Sequence, residues 1–196
     1  MSKPLLIVGA GGHGRVVAEA AQLGGVRIAG FIDNEANRLP SELDSIQVLG
    51  DDSLLPTLDS STYLFTVGVG MPHISDLRAT IFLKMLNLGF APQSIFHPSA
   101  VISPSAEVRA GAQIMAHAVV QAGAIIGQGV IVNTGAVIEH DCNIDEFCHI
   151  APSAVVLGGA SVGASSLIGA NATVLPGSKV SPNCLVRAAE LFGDSR

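Results

Sequence analysis

Tryptophan is absent from this 196-residue sequence, and tyrosine occurs once. Aromatics make up 4% of the chain against 48% apolar residues, so a core must be filled by Ala, Val, Ile and Gly rather than by rings. That favours a narrow core over a bulky one. Charge is also scarce: 13% of residues are charged, the formal net charge is -6, and there is no run of Lys or Arg. The basic footprint of a nucleic-acid-binding surface is therefore missing. Cysteine is limited to Cys142, Cys148 and Cys184, an odd number with no Cys-x-x-Cys spacing, and no metal is expected. The apolar run Pro4 to Ala10 passes straight into Gly11-Gly12-His13-Gly14-Arg15 with no small-residue cleavage pattern. It reads as strand and turn, not signal peptide, and a reducing, cytoplasmic setting is expected.

Between Arg109 and Glu139 there is no acidic or basic side chain. A hydropathy window would take this stretch for a membrane span. Gln113, His117, Gln121, Gln128 and Asn133 fall inside it, with five glycines. A strict period accounts for the stretch better than lipid does, and no membrane association is expected.

The period is six. Stepping from Ile102 to Val186 gives fifteen positions, all Ile or Val. Stepping from Ala100 to Cys184 gives fifteen small residues, and all three cysteines lie on that ladder. Gly often follows the aliphatic position, as at Gly127, Gly163 and Gly169. A period of six fits neither a helix nor a simple alternating strand. It fits a short strand plus a corner, three units to a triangular coil, with β-branched residues pointing inward and small ones where the walls converge. Stacked coils then stabilise one another as in other solenoids. The cysteines become core fillers.

Ahead of the repeat the pattern changes. Leu5 to Gly9 reads as a buried strand, Arg15 to about Leu23 as a helix, and Val26 to Ile32 as a second strand. Further strands are expected near 62–67 and 93–96, with a helix near 72–88. Gly9-Ala10-Gly11-Gly12-His13-Gly14 between strand and helix, with Asp33-Asn34 after the second strand, matches a phosphate-cradling glycine loop and its ribose-binding acid. A tight turn with no ligand would use the same glycines. Only one mononucleotide half fits into about ninety residues, which disfavours a dehydrogenase and suits a nucleoside diphosphate group. The expected organisation is an α/β Rossmann-like domain over 1–96 and an all-β solenoid over 97–196.

Six histidines are candidates for proton transfer. His140 lies two residues after Ile138 and His149 one before Ile150, so neither fills a core slot and both belong to one eighteen-residue coil. Ala122 and Gly158, one coil to either side of His140, leave open space beside it, as a cleft requires and as a surface histidine would tolerate. His117 reads as a solvated corner, His97 as structural, and His73 as a weak candidate near the head's third strand.

The repeat resembles the hexapeptide-repeat acyltransferases. Gly9 to Gly14, Phe31-Ile32-Asp33-Asn34 and the run Asn133 to Pro152 narrow the resemblance to bacterial nucleotide-sugar acyltransferases with a small Rossmann-like head. It implies a left-handed parallel β-helix and a homotrimer with active sites between subunits. It also implies acetyl-CoA as donor and the amine of a UDP- or GDP-linked sugar, a 4-amino sugar for glycan biosynthesis, as acceptor. By the same likeness His140 is the general base and Asp141 orients it. His149 and the backbone of Ala170 contact acetyl-CoA, and Asn133 lies near the reacting groups. Gly11, Gly12, His13, Asp33, Asn34 and Gly68 match the nucleotide-sugar contacts. Where the family continues into a glycine-rich turn and a tail that helps hold CoA, this sequence has Leu185 through Glu190 and runs to Arg196, a departure in the part of the family's pattern that bears on CoA. O-acetylation of a sialic acid-like sugar and a non-catalytic nucleotide-sugar scaffold remain alternatives.

Overall fold

The computed structural model describes residues 3–35 and 46–193. It opens with an all-parallel sheet ordered β3-β2-β1-β4-β5, formed by β1 (Leu5–Val8), β2 (Ile28–Ile32), β3 (Val48–Gly50), β4 (Leu64–Val67) and β5 (Ala91–Pro92). Helix α1 (Gly12–Leu23) follows β1, and α2 (Leu77–Asn87) precedes β5. Leu5, Leu6 and Ile7 are fully buried, as expected of a strand covered on both faces. The strand order reverses at β1, which has β2 on one side and β4 on the other. The crevice beyond the carboxyl ends of β1 and β4 is where such sheets take ligands.

Helix α1 begins three residues before the predicted start, because Gly11 serves as its N-cap and Gly12 joins the first turn. Helix α2 begins five residues after its predicted start, where the Ser75 hydroxyl accepts the Leu77 N–H at 3.2 Å. Strands β3 and β5 are too short to carry a readable period. The stretch 93–96, read as a fourth head strand, contributes none to the head. Ile95–Phe96 pairs instead with Gln113–Ile114 and forms the first rung of the solenoid.

From Ile95 to Phe192, two-residue strands recur every six residues and stack into three parallel sheets. One face carries Ile95–Phe96, Gln113–Ile114, Ile131–Val132, His149–Ile150, Leu167–Ile168 and Leu185–Val186. The second carries Val101–Ile102, Val119–Val120, Val137–Ile138, Val155–Val156, Thr173–Val174 and Leu191–Phe192. The third runs from Glu107–Val108 through Ile125–Ile126, Asn143–Ile144 and Ser161–Val162 to Lys179–Val180. The aliphatic and small ladders together form one continuous core, against which Phe192 packs one rung beyond Val186, while Phe96, one rung before Ile102, is 43% exposed. Cys142 and Cys148 are buried in that core and all three cysteines are free.

Every sixth residue from Gly111 to Ala189 has positive φ and turns a corner. The glycines after aliphatic positions do something else. A Cβ on Gly127 would stand 2.7 Å from backbone of the next coil, and one on Gly163 would stand 2.5 Å from Pro182 N. They permit close stacking, and their φ is ordinary.

Candidate active site

The glycine loop lines a cleft of about 610 Å³ together with the ends of β2 and β4. Gly11, Gly12, His13, Asp33, Asn34 and Gly68 all border it. Added Cβ atoms show which glycines shape the loop. At Gly14 one would collide with the Gly9 carbonyl, so this glycine sets the helix-to-strand approach. At Gly11 one would meet nothing within 4 Å, so its missing side chain leaves the loop open to the cleft. Helix α1 has no side-chain cap and no acidic residue in its first turn. Its free N–H groups are suited to a phosphate.

Asp33 serves the loop itself. Its Oδ2 accepts the Ala10 N–H at 2.6 Å and its Oδ1 accepts the Glu35 N–H at 2.7 Å. The acid at the end of β2 thus braces the glycine turn as well as bordering the cleft. Asn34 Oδ1 accepts the Asp52 N–H at 3.1 Å, which leaves its Nδ2 as a donor.

His13 reaches from this loop to the solenoid. Its Nε2 lies 2.8 Å from Gln113 Oε1. Gln113 is fully buried, and its Nε2 donates to Thr66 Oγ1 at 3.0 Å and to the Val67 carbonyl at 2.8 Å. Burial pulls the His13 pKa down to about 4, outweighing the Gln113 hydrogen bond, with Arg78 lowering it further.

A second cluster lies where the loop after β4 meets the first solenoid face. His149 Nδ1 donates to the Met71 carbonyl at 3.2 Å, and its Nε2 accepts from Asn133 Nδ2 at 3.0 Å. Asn133 Oδ1 takes the Thr134 N–H at 2.8 Å. These partners determine both amide orientation and tautomer. Burial lowers the His149 pKa to about 4, with the nearby His13 and Arg78 acting in the same direction. Ala170 packs beside Met71, Ala151 and Leu167 in a small apolar cluster, and its carbonyl accepts the Ala189 N–H.

His140 and Asp141 stand apart. Their side chains are 64% and 73% exposed, and His140 Nδ1 lies 2.9 Å from Asp141 Oδ2. A carboxylate only accepts, so Nδ1 carries a proton, and in the neutral ring the lone pair falls on Nε2. Asp141 occupies a positive-φ corner, at 59°, a conformation Asp tolerates better than most residues. The space expected beside His140 is filled by its own ring: a Cβ on Gly158 would sit 2.5 Å from Nε2. The predicted residues thus form three groups: the cleft, the Asn133–His149 pair and the His140–Asp141 pair.

Gln113 and Arg78 also belong to the site, and no motif marks either of them in the sequence. Arg78 is buried, donates from Nη2 to the Gly129 carbonyl at 2.7 Å, and has no protein partner for Nε or Nη1 among the described residues. Burial lowers its pKa to about 10, so it stays charged at neutral pH beside both buried histidines. No group of three or more metal-ligating side chains occurs among the described residues, and none of their helices is long and apolar enough to cross a membrane.

Residues 4–82 match the family model described as the PglD N-terminal domain. The acetyltransferase domain of PglB from Neisseria gonorrhoeae is 37% identical, with a TM-score of 0.87, and the match covers 95% of this chain and 89% of that one. The same domain in complex with acetyl coenzyme A matches at 36% identity and a TM-score of 0.89, covering 98% and 92%. GDP-perosamine N-acetyltransferase from Caulobacter crescentus, in a histidine-to-alanine variant bound to CoA and GDP-perosamine, is 33% identical. Its TM-score is 0.88, and the match covers 96% of this chain and 87% of that one. A search of curated protein sequences finds no match.

Proposed function

This chain belongs to the hexapeptide-repeat N-acetyltransferases of nucleotide-linked amino sugars, and from that premise we propose that His140 is the base that takes the amine proton during acetyl transfer from acetyl-CoA. The observation that carries the reading is the His140–Asp141 pair: Nδ1–H is held at 2.9 Å by the carboxylate while the side chain is largely exposed. The amine attacks the thioester carbonyl, His140 Nε2 accepts its proton, the C–S bond breaks, and the departing CoA thiolate takes that proton from His140 and leaves as the thiol. Asp141 steadies the imidazolium that forms.

The head supplies the acceptor's nucleotide. Gly11, Gly12 and the first turn of α1 take the diphosphate, while His13, Asp33, Asn34 and Gly68 border the ribose and base. We assign a 4-amino sugar linked to GDP or UDP as the acceptor class; the Caulobacter relative is named for GDP-perosamine. Asn133, His149 and Ala170 lie on the side we assign to acetyl-CoA.

The three groups require more than one copy to meet. Asn133 follows Ile131–Val132, at the corner between the first and second faces, whereas His140 follows Val137–Ile138, at the corner between the second and third. A two-residue strand and its corners stand between them, a span of at most ~20 Å for six residues. The second face is also largely apolar on the outside: Val101 and Leu191 are 62% and 63% exposed, with Val119, Val137, Val155 and Thr173 between them. Packing this face about a threefold axis would bring the His140 edge of one prism to the Asn133 edge of the next.

The test is CoA-thiol release with GDP- and UDP-linked amino sugars and with a free sialic acid. The expected result is turnover with a nucleotide-linked amine, lost at least a hundredfold in His140→Ala. Turnover with the sialic acid alone, or near-normal turnover in the variant, would overturn the assignment. Light scattering should give three times the 20.0 kDa chain mass; a monomer that turns over would remove the inter-subunit site.

A further inference from the structure

Gln113 is a glutamine on the solenoid whose side chain lies fully buried under the head. A buried amide in such a place costs stability unless its hydrogen bonds are made, and all three of its contacts are with the head. Nε2 donates to Thr66 Oγ1 and to the Val67 carbonyl. A carbonyl only accepts, so the nitrogen of the amide must face β4 and Oε1 must face His13. Oε1 is an acceptor too, and His13 Nε2, 2.8 Å away, must carry the proton. With Nε2–H so committed, the lone pair falls on Nδ1. No protein group among the described residues hydrogen-bonds to Nδ1, and the ring lines the glycine-loop cleft.

We propose that Gln113 is a positioning residue that locks His13 as the neutral Nε2–H tautomer, so that Nδ1 accepts an O–H or N–H donor of the nucleotide sugar. His13 then does not serve as a cation for the diphosphate. The glycine loop and α1 take the anion, and His13 reads a hydroxyl or amine beside it. The proposal rests on the nucleotide-sugar reading of the cleft. It also ties substrate recognition to the docking of head on solenoid, because the group that sets the tautomer belongs to the other domain.

The tautomer is measurable without any substrate. Ring nitrogen chemical shifts in the full-length wild-type protein at neutral pH should show His13 as neutral with Nε2 protonated. A neutral Nδ1–H ring or an imidazolium would overturn the proposal, whatever becomes of the acetyltransferase activity. Gln113→Glu keeps the length of the side chain but can neither donate to Val67 nor leave His13 with a neutral acceptor. It should drive the ring toward the doubly protonated form and raise KM for the nucleotide sugar roughly tenfold, the worth of one hydrogen bond, with kcat within about twofold. Thr66→Val removes one partner of the same amide but leaves the Val67 contact, and should keep both the tautomer and KM. If Gln113→Glu folds and leaves KM unchanged, or lowers kcat alone, Gln113 is structural and the proposal fails. If that variant does not fold, the wild-type tautomer and Thr66→Val decide.

Discussion

The imidazole of His140 lies against the α-carbon of Gly158, one coil further along the prism. A methyl group there would stand 2.5 Å from Nε2 and 2.7 Å from Cε1, so a Cβ and the observed ring position are incompatible. The backbone can accept alanine, because Ala122 holds the equivalent place two coils earlier and Gly158 has no positive φ. Gly158→Ala should therefore fold normally and tilt the ring away from Asp141. The expected outcome is a fall in kcat of at least roughly tenfold, since a small misplacement of a reacting group is costly. Steady-state kinetics beside a thermal melt checks it. Unchanged kcat would mean that the observed ring position is irrelevant to turnover.

Asp141 is testable by its charge and by its acceptor character. Asn is nearly isosteric, tolerates the same positive φ, and can present an N–H to the ring. In Asp141→Asn the ring can reverse its tautomer, placing the proton on Nε2 and removing the base. Turnover should fall by roughly 10²- to 10⁴-fold with little change in KM for either substrate. A loss confined to KM would assign Asp141 to binding instead.

The six-residue ladder made the core legible because each inward position repeats in every coil, so Ile102 through Val186 could be read as one wall. What one coil cannot show is what covers its outside. Gln113 precedes an inward Ile, the place where a lone prism would present a solvated side chain, and it becomes buried only because the head docks there. Arg78 shares the buried face of α2 with Phe82 and Met85, but its carbonyl partner, Gly129, is 51 residues away in sequence. The corner ladder was hidden for a different reason. Its positive-φ positions are shared by glycine with His117, Asp141, Phe147, Ser153, Asn171 and others, so no single residue type marks it. Asp33 was legible as an acid at the cleft, but a one-dimensional reading could not show its hydrogen bond to Ala10.

The two buried histidines predict a pH dependence of stability. His13 and His149 have native pKa values near 4 against an unperturbed 6.5. Between those values the unfolded chain binds protons that the native chain does not, so stability rises with pH across the window and is lost as pH falls from about 6.5 toward 4. Each group adds up to ~1.4 kcal/mol per pH unit. Urea unfolding of the wild type at pH 7.5, 6 and 5 should show the loss. His149→Gln should show about half the slope, because glutamine offers both a donor for Met71 and an acceptor for Asn133 but does not titrate. An equal slope in the two proteins would contradict the buried neutral state.

Helix α2 is held to the prism by the aromatic ring of Phe82 as well as by the Arg78–Gly129 hydrogen bond. Phe82 stacks edge-on with Phe65 of β4 at 5.1 Å between ring centroids and with Phe147 of a solenoid corner at 5.5 Å. It lies over Gly111 and near Gly129, where an added Cβ would strike Phe82 and Phe147 respectively. Phe82 thus belongs to the head core and touches the solenoid at once. Phe82→Ala should cost about 3–5 kcal/mol, the range for emptying a buried phenylalanine site. The damage should be uneven. The prism keeps its own stacked core, whereas β4, α2 and the loop to Met71 lose their anchor. Hydrogen exchange should therefore speed up across residues 64–90 while the ladder from Ala112 to Val162 stays protected. Because Met71 holds His149 and thereby Asn133, the same variant should weaken acetyl-CoA binding without touching His140. Uniform loss of protection through the prism would instead show that head and solenoid unfold as one unit.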